Sequence, residues 1–443
     1  MHKGGLKSLI KSSAGTLVRQ VGAGLLQLLM VVVIARALGP EGNGQFAIAL
    51  LLPTTLSRFL EMGLPAANAH FIGSQKISPR TAFTTALQWF VLLAPVGIAI
   101  GAVGIWLAGD RWFPSVPTVA LWLMLAAYPV LLLQAFLTSI FHGLQAFTAY
   151  NITLLLHPAL ALALSFGLVA TGRSDVTSLL AAYLLGAVLT LIVSAQMLYR
   201  YFKRAAAGQQ VRSQGLINFS YSRRAAQYAL VTHIGTTLAF LNYRADVYLL
   251  NLLGSAAETG LYVTATQMVE KLWLLSAAVG VVLMPYISRI SSEADKIRKV
   301  TPLMCIGVSL LTGIAGIMTA LLSAFLVGIL FGDDYAPAAV IMQLLLPGIV
   351  AWAGARVLAI DINARGKPEL NMYMSFGVLV VNVCGNLLLI PRYGMRGAAI
   401  ATTLAYCFFA VQMFVFYARL TRTSWRVAIA DSIELSKQKL RVF

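Results

Sequence analysis

Ala35-Arg36-Ala37-Leu38-Gly39-Pro40-Glu41-Gly42-Asn43-Gly44-Gln45-Phe46 is the stretch on which the reading of this chain turns. A long apolar run lies on either side of it, over 14–37 and 44–71. Each exceeds the ~20 residues that a helix needs to cross a bilayer. Three glycines and a proline within residues 39–44 interrupt a helix, so the stretch reads as a tight turn between two spans. The pattern returns about 215 residues later. There Leu253-Gly254 precedes a short polar turn through Glu258, and Gly260-Leu261-Tyr262 opens the next apolar run. A second pair, Gly143-Leu144-Gln145-Ala146-Phe147 and Gly366-Lys367-Pro368-Glu369-Leu370, recurs at about 223. Two markers at nearly one offset point to a unit used twice.

Composition sets the class. The 443 residues are 59% hydrophobic and 11% charged, with a mean hydropathy of +0.81. A soluble domain carries about 25% charged residues, so this is an integral membrane protein. Apolar runs fill nearly the whole length and leave no room for a separate soluble domain. A net charge of +18 would suggest nucleic acid in a soluble protein. Here it is read as Lys- and Arg-rich cytoplasmic loops, with no nucleic-acid partner. Cys305, Cys384 and Cys407 lie within apolar runs, which implies no disulfide framework, and no metal-ligand spacing occurs. The first apolar run is too long for a cleavable signal and is read as a retained span.

The expected fold is all-α and polytopic, with twelve spans at 14–37, 44–71, 82–108, 117–141, 149–171, 176–201, 226–253, 260–286, 301–331, 336–362, 370–390 and 396–419. The basic linker 202–225 falls where a six-plus-six duplication needs its joint. The expected organisation is therefore an N-lobe over 1–201, the linker, a C-lobe over 226–419 and a basic tail over 420–443. Of the 33 Lys and Arg residues, 24 fall on one set of loops and helix ends and five on the other. That asymmetry puts both termini in the cytoplasm. An even number of spans per half makes the halves parallel repeats about an axis along the membrane normal, with a substrate path between the lobes. The first 13 residues, with Lys3, Lys7 and Lys11, and the tail, with Trp425, Ile429 and Ile433, have the spacing of helices lying on the inner membrane surface. Solvated tails are the alternative for both.

Ionisable residues inside spans cost from ~2.5 kcal/mol upward, so each needs a reason. Arg58 sits near the middle of the second span with Glu61 one turn on, and Glu270 and Lys271 sit mid-way along the eighth. Arg244 and Asp246 are two residues apart, cannot face each other on a helix, and must find partners elsewhere. Arg19 and Arg356 lie nearer the cytoplasmic ends, where long side chains reach the interface. Asp361 is closer still to an end and reads as solvated. The repeat offset places Lys271 one turn from the counterpart of Arg58. This suits an anion site with one cation from each lobe. The alternative is local pairing, Arg58 with Glu61 and Lys271 with Glu270 or a neighbour. Asp246, Glu61 and Glu270 are also candidates for protonatable coupling sites. Gly97 and Gly101 read as internal packing, not a dimer contact.

These motifs resemble the polysaccharide transporter (Wzx-like oligosaccharide flippase) family of the multidrug/oligosaccharidyl-lipid/polysaccharide exporter superfamily. The resemblance is carried by residues 35–46, Glu61-Met62-Gly63-Leu64, Arg244-Ala245-Asp246, Asn363-Ala364-Arg365-Gly366-Lys367-Pro368, Pro391-Arg392-Tyr393-Gly394 and Gly397-Ala398-Ala399. It covers essentially the whole chain. It implies no enzyme and no cofactor beyond a coupling H+ or Na+. The implied activity is a flippase carrying a polyprenyl-pyrophosphate-linked oligosaccharide across a bacterial inner membrane by alternating access. Membrane lipids would be partners, and a glycan polymerase and chain-length regulator would work beside it. Similarity to lipid II flippases implies that Arg19, Arg58 and Lys271 meet the pyrophosphate. Two rival readings share the hydropathy pattern. A cation-coupled multidrug exporter of the same fold usually has an acid in its first span, and 14–37 has none. A membrane glycan polymerase or ligase needs a long outer loop, whereas Asp333-Asp334 lies in a very short one.

Overall fold

The computed structural model describes residues 3–208, 219–289, 294–365 and 368–421. Part of the expected linker, the tail from 422 and the side chains of residues 1–20, Arg19 among them, lie outside the described residues. Among the described residues every regular element is helical. In chain order these are α1 (Lys3–Leu60), α2 (Leu64–Gly73), α3 (Pro79–Trp112), α4 (Thr118–Gly143), α5 (Phe147–Ala170), α6 (Val176–Gly208), α7 (Phe219–Leu253), α8 (Ala256–Val269), α9 (Trp273–Arg289), α10 (Ala294–Phe331), α11 (Ala336–Ala364) and α12 (Pro368–Thr421). One-turn 3-10 segments occupy Glu270–Leu272 and Asp333–Tyr335. Among the described residues, eight helices are long and apolar enough to cross a membrane.

The longest two are interrupted at single glycines. Gly39 in α1 stands at φ 66°, ψ −179°, and Gly394 in α12 at φ 54°, ψ −135°. Neither conformation is open to a residue with a Cβ without strain. The break expected over residues 39–44 therefore contracts to one residue. Pro40 restarts the helix at once, because a first-turn proline loses no hydrogen bond and its φ is already helical. Glu41, Gly42, Asn43 and Gly44 are helical.

The chain forms two compact units. One comprises Gly22–Phe240 with Ser255–Gly260. Its core gathers Ile34, Phe46, Ile48, Leu121 and Met124 in one cluster. A second cluster holds Leu64, Tyr128, Phe136, Tyr221 and Ala229. Helices α3 and α4 pack closely here. A Cβ on Gly97 would strike the Tyr128 ring, and one on Gly101 would strike Leu125. These glycines serve internal packing, as their spacing suggested.

The other unit comprises Met1–Val21, Leu241–Gly254 and Leu261–Phe443. Helix α11 is its buried centre, packed by α9, α10 and α12. Close approach again depends on small residues: a Cβ on Gly348 would meet the backbone of Thr403, and one on Gly354 the Ser309 hydroxyl. The outer faces of both units carry large bare apolar side chains, with Trp106 80% and Leu321 76% exposed. Water would penalise such faces and lipid does not. All three cysteines are free thiols.

Candidate functional site

Four of the charged residues of the spans, Arg58, Glu61, Glu270 and Lys271, stand where helices are interrupted. In the unit built on residues 22–240, α1 ends at Leu60 and α2 begins at Leu64. Met62 (φ 47°) and Gly63 (φ 68°) make the turn between them. Gly63 sits so close to the Ala229 carbonyl that a side chain there would collide with it. Leu64 N–H closes the turn on the Glu61 carbonyl at 3.0 Å. Within this turn Arg58 Nη1 donates to Glu61 Oε1 at 2.7 Å. The carboxylate side chain is 9% exposed and the guanidinium side chain 42%. Local pairing is thus realised, yet it occupies few of the five donors of Arg58. The anchored guanidinium still presents the others outward.

The second interruption, the 3-10 turn Glu270–Leu272, lies in the other unit and carries Glu270 and Lys271. Sequence hydropathy alone does not reveal either break, because the apolar runs resume at once on both sides of each. Glu270 Oε1 lies 3.7 Å from Arg244 Nη1. Arg244 also donates to the Tyr243 carbonyl at 3.1 Å. Lys271 and Arg356 are both partly exposed and form no ion pair or hydrogen bond among the described residues. The local pairing expected between Lys271 and Glu270 is not made, since Glu270 turns to α7.

Asp246 does reach beyond its own helix. Its carboxylate is buried and accepts from Val247 N–H at 2.8 Å, Tyr262 Oη at 2.5 Å and Thr402 Oγ1 at 3.1 Å. Asn382 Nδ2 adds a bond to Thr402 at 3.4 Å. Three donors from α7, α8 and α12 therefore satisfy a group that costs a great deal to bury unsatisfied. Asp361 requires correction. It is fully buried rather than solvated, held by Arg365 Nε at 2.7 Å, Arg365 Nη2 at 3.1 Å and Tyr417 Oη at 2.6 Å. Arg365 folds back one turn from the end of α11 while α12 covers the remaining side.

The residues that sequence reasoning missed are aromatic. Trp352 packs against Phe409 (ring centroids 4.1 Å apart), Tyr406 (4.7 Å), Tyr243 (5.8 Å) and Trp273 (6.2 Å). Tyr243 and Trp273 lie 5.2 Å apart. A signal for them was present. Tyr243 adjoins Arg244, Trp273 follows Lys271 by two, and Trp352 precedes Arg356 by one helical turn. Among the described residues no group of His, Cys, Asp and Glu could hold a metal ion. The site residues thus fall into one ion-paired turn, Arg58–Glu61, and one mixed cationic and aromatic cluster. Arg19 joins neither, its side chain being outside the described residues.

Comparison with known proteins bears on the fold and on kinship. Residues 9–291 match the family described as "Polysaccharide biosynthesis protein". The chain is 24% identical over 248 residues to the "Probable low-salt glycan biosynthesis flippase Agl15" of Haloferax volcanii, covering 54% of this chain and 49% of that one. It spans about half the length of the first curated relatives it matches. With the "Putative O-antigen transporter" of Shigella flexneri it shares 22% identity over 431 residues, 93% of this chain and 98% of that one. Among solved structures, "Lipid II flippase MurJ, inward closed conformation" superposes with a TM-score of 0.75 at 12% identity, covering 94% and 89% of the two chains. An inward-facing multidrug resistance MATE family transporter of the MOP superfamily gives 0.69 at 16% identity, covering 90% and 94%. At such identities the structural likeness shows the fold alone.

Proposed function

The chain belongs to the polysaccharide biosynthesis protein family, and we propose that it is a flippase. It moves a polyprenyl-pyrophosphate-linked oligosaccharide from the inner to the outer leaflet of a bacterial cytoplasmic membrane by alternating access. The reading places twelve crossings in two six-helix lobes, 1–201 and 226–419, joined by 202–225 and followed by a basic tail, with both termini cytoplasmic. Breaking α1 at Gly39 and α12 at Gly394, and joining helices across residues 61–63 and 270–272, supports that count.

One observation carries the functional reading: cations stand at two of the helix interruptions, Arg58 beside the turn 61–63 and Lys271 within 270–272. Helices broken at membrane depth are where transporters build substrate sites, because freed backbone groups and charges are tolerated there. A pyrophosphate is costly in hydrocarbon, and charge-assisted hydrogen bonds from Arg and Lys replace its lost water. Arg58, Lys271, Arg244, Arg356 and Arg19 are assigned to that task. Outward movement of negative charge gains about 2.3 kcal/mol per charge per 100 mV, inside negative. Asp246, Glu61 and Glu270 are assigned to coupling with H+ or Na+. A glycan polymerase and a chain-length regulator would receive the product.

A multidrug exporter shares the fold, and one experiment separates the readings. Deleting the gene should leave lipid-linked oligosaccharide accumulating on the inner leaflet. Accumulated drug in its place would favour the exporter. Unpolymerised glycan on the outer leaflet would favour a polymerase or ligase.

A further inference from the structure

The turn that carries Arg58 and Glu61 is supported from a second helix. Tyr221 Oη on α7 donates to Asn68 Oδ1 on α2 at 2.8 Å, and two turns later the Ala229 carbonyl lies against Gly63. One turn further still, half-buried His233 meets the last turn of α1. Its ring N–H donates to the Phe59 carbonyl, and the ring lies within electrostatic reach of Arg58. Nδ1 is enclosed and has no hydrogen-bond partner among the described residues, so Nε2 is the donor. All these residues belong to the unit that comprises Gly22–Phe240.

Phe59 is the residue whose carbonyl the break strands. In an uninterrupted helix it would accept from the N–H of residue 63, but Gly63 is left-handed at φ 68°. Among the described residues no backbone N–H beyond α1 reaches that carbonyl. The last carbonyls of a helix carry the negative end of its dipole and draw in nearby cationic side chains. Arg58 is such a side chain, in the same turn. The other unit shows what an arginine does beside an open carbonyl: Arg244 Nη1 donates to Tyr243, its own neighbour, at 3.1 Å. Left uncapped, the Phe59 carbonyl would pull the Arg58 guanidinium back onto the helix and repel an arriving anion. His233 takes that carbonyl instead, and Arg58 is divided only between Glu61 and whatever stands outside.

We propose that His233 is a positioning residue of the anion site: by capping Phe59 from α7 it keeps the Arg58 guanidinium available to a phosphate group. The inference rests on the flippase reading, in which Arg58 meets the pyrophosphate, and adds to it a residue that does not touch the ligand. The role requires a donor at the reach of Nε2 and no charge. A glutamine carries such a donor and a leucine does not.

Binding of polyprenyl pyrophosphate to the purified full-length protein is the test. Arg58→Ala and His233→Leu should each weaken it about tenfold, the loss expected for a hydrogen bond to a charged group. His233→Gln should bind as the wild type does. The double variant Arg58→Ala/His233→Leu should bind no more weakly than Arg58→Ala, because the histidine acts through the arginine. A histidine that merely held the fold together would lower binding further in that background. Additive losses in the double variant, wild-type affinity in His233→Leu, or no recovery in His233→Gln would each overturn the positioning role and leave the flippase reading standing. If Arg58→Ala binds the lipid as the wild type does, the anion site itself falls.

Discussion

Gly44 and Gly260 meet backbone to backbone, and the contact is reciprocal. A Cβ on Gly44 would run into the Ala256 carbonyl and approach Gly260 N, and a Cβ on Gly260 would run into the Pro40 carbonyl and approach Gly44 N. The 216 residues that separate Pro40 from Ala256 also separate Gly44 from Gly260. Asn43 Nδ2 adds a bond to the Gly260 carbonyl at 3.3 Å. The recurrence seen as a sequence pattern is therefore also a geometric one, a local two-fold at which equivalent turns of helix pack. Gly44→Ala and Gly260→Ala should each lower stability by ~1–3 kcal/mol, since backbone cannot move aside as a side chain can. Gly39→Ala makes a control with a different cause. No atom lies within 4 Å of its Cβ, so only its backbone at φ 66°, ψ −179° resists, at about 1–3 kcal/mol. Melting of the detergent-solubilised protein measures all three, and an unshifted Gly44→Ala would contradict the contact.

Arg58→Ala removes both an anion ligand and the partner of a nearly buried carboxylate. Surface glycan should disappear while the protein stays in the membrane. Arg58→Ala/Glu61→Ala should be more stable than Arg58→Ala alone, by about 1 kcal/mol, because the orphaned charge is gone. It should remain inactive. Recovery of export in the double variant would show that Arg58 serves the fold and not the substrate.

Lys271 has no such partner, so Lys271→Ala is expected to abolish export with little loss of stability. Surface glycan at wild-type levels in this variant would remove Lys271 from the site.

The Asp361–Arg365–Tyr417 contact ties the end of α11 to α12. Asp361→Asn should cost about 3–5 kcal/mol, the range for breaking a buried ion pair from one side. The loss would appear as reduced folded yield and a lower melting temperature, with lipid binding unchanged in the fraction that folds. A variant that folds normally but loses the ligand would argue instead for a functional carboxylate.

Asp246→Asn preserves size and abolishes charge inside the Tyr262–Thr402 network. Export by reconstituted vesicles should fall at least about tenfold, which corresponds to ~1.4 kcal/mol of barrier. What remains should no longer respond to an imposed H+ or Na+ gradient. An intact gradient response would withdraw Asp246 from coupling.

Much of this was legible from residue order. The apolar runs mark nearly every helix, because transfer of a ~20-residue stretch into lipid depends on its own composition. Gly97 and Gly101 were read correctly as packing for the same reason of local chemistry. The breaks at Glu61-Met62-Gly63 and Glu270–Leu272 were not visible, since hydropathy is indifferent to φ. Asp361 was misjudged because distance from a helix end says nothing of Arg365 folding back or of Tyr417 on α12. The aromatic wall of Tyr243, Trp273, Trp352, Tyr406 and Phe409 draws on four helices, and its members are far apart in the chain.

Sequence by itself determined the all-helical membrane class, the repeat interval and the set of charges that a bilayer would not tolerate without cause. Those are properties of short stretches weighed against water or lipid, and they need no neighbours. Tertiary structure alone decided which charge is closely paired, as Arg58 is with Glu61, and which makes no close ion pair among the described residues, as with Lys271. Pairing depends on which helix packs alongside and at what height, a relation between distant residues that no local stretch contains.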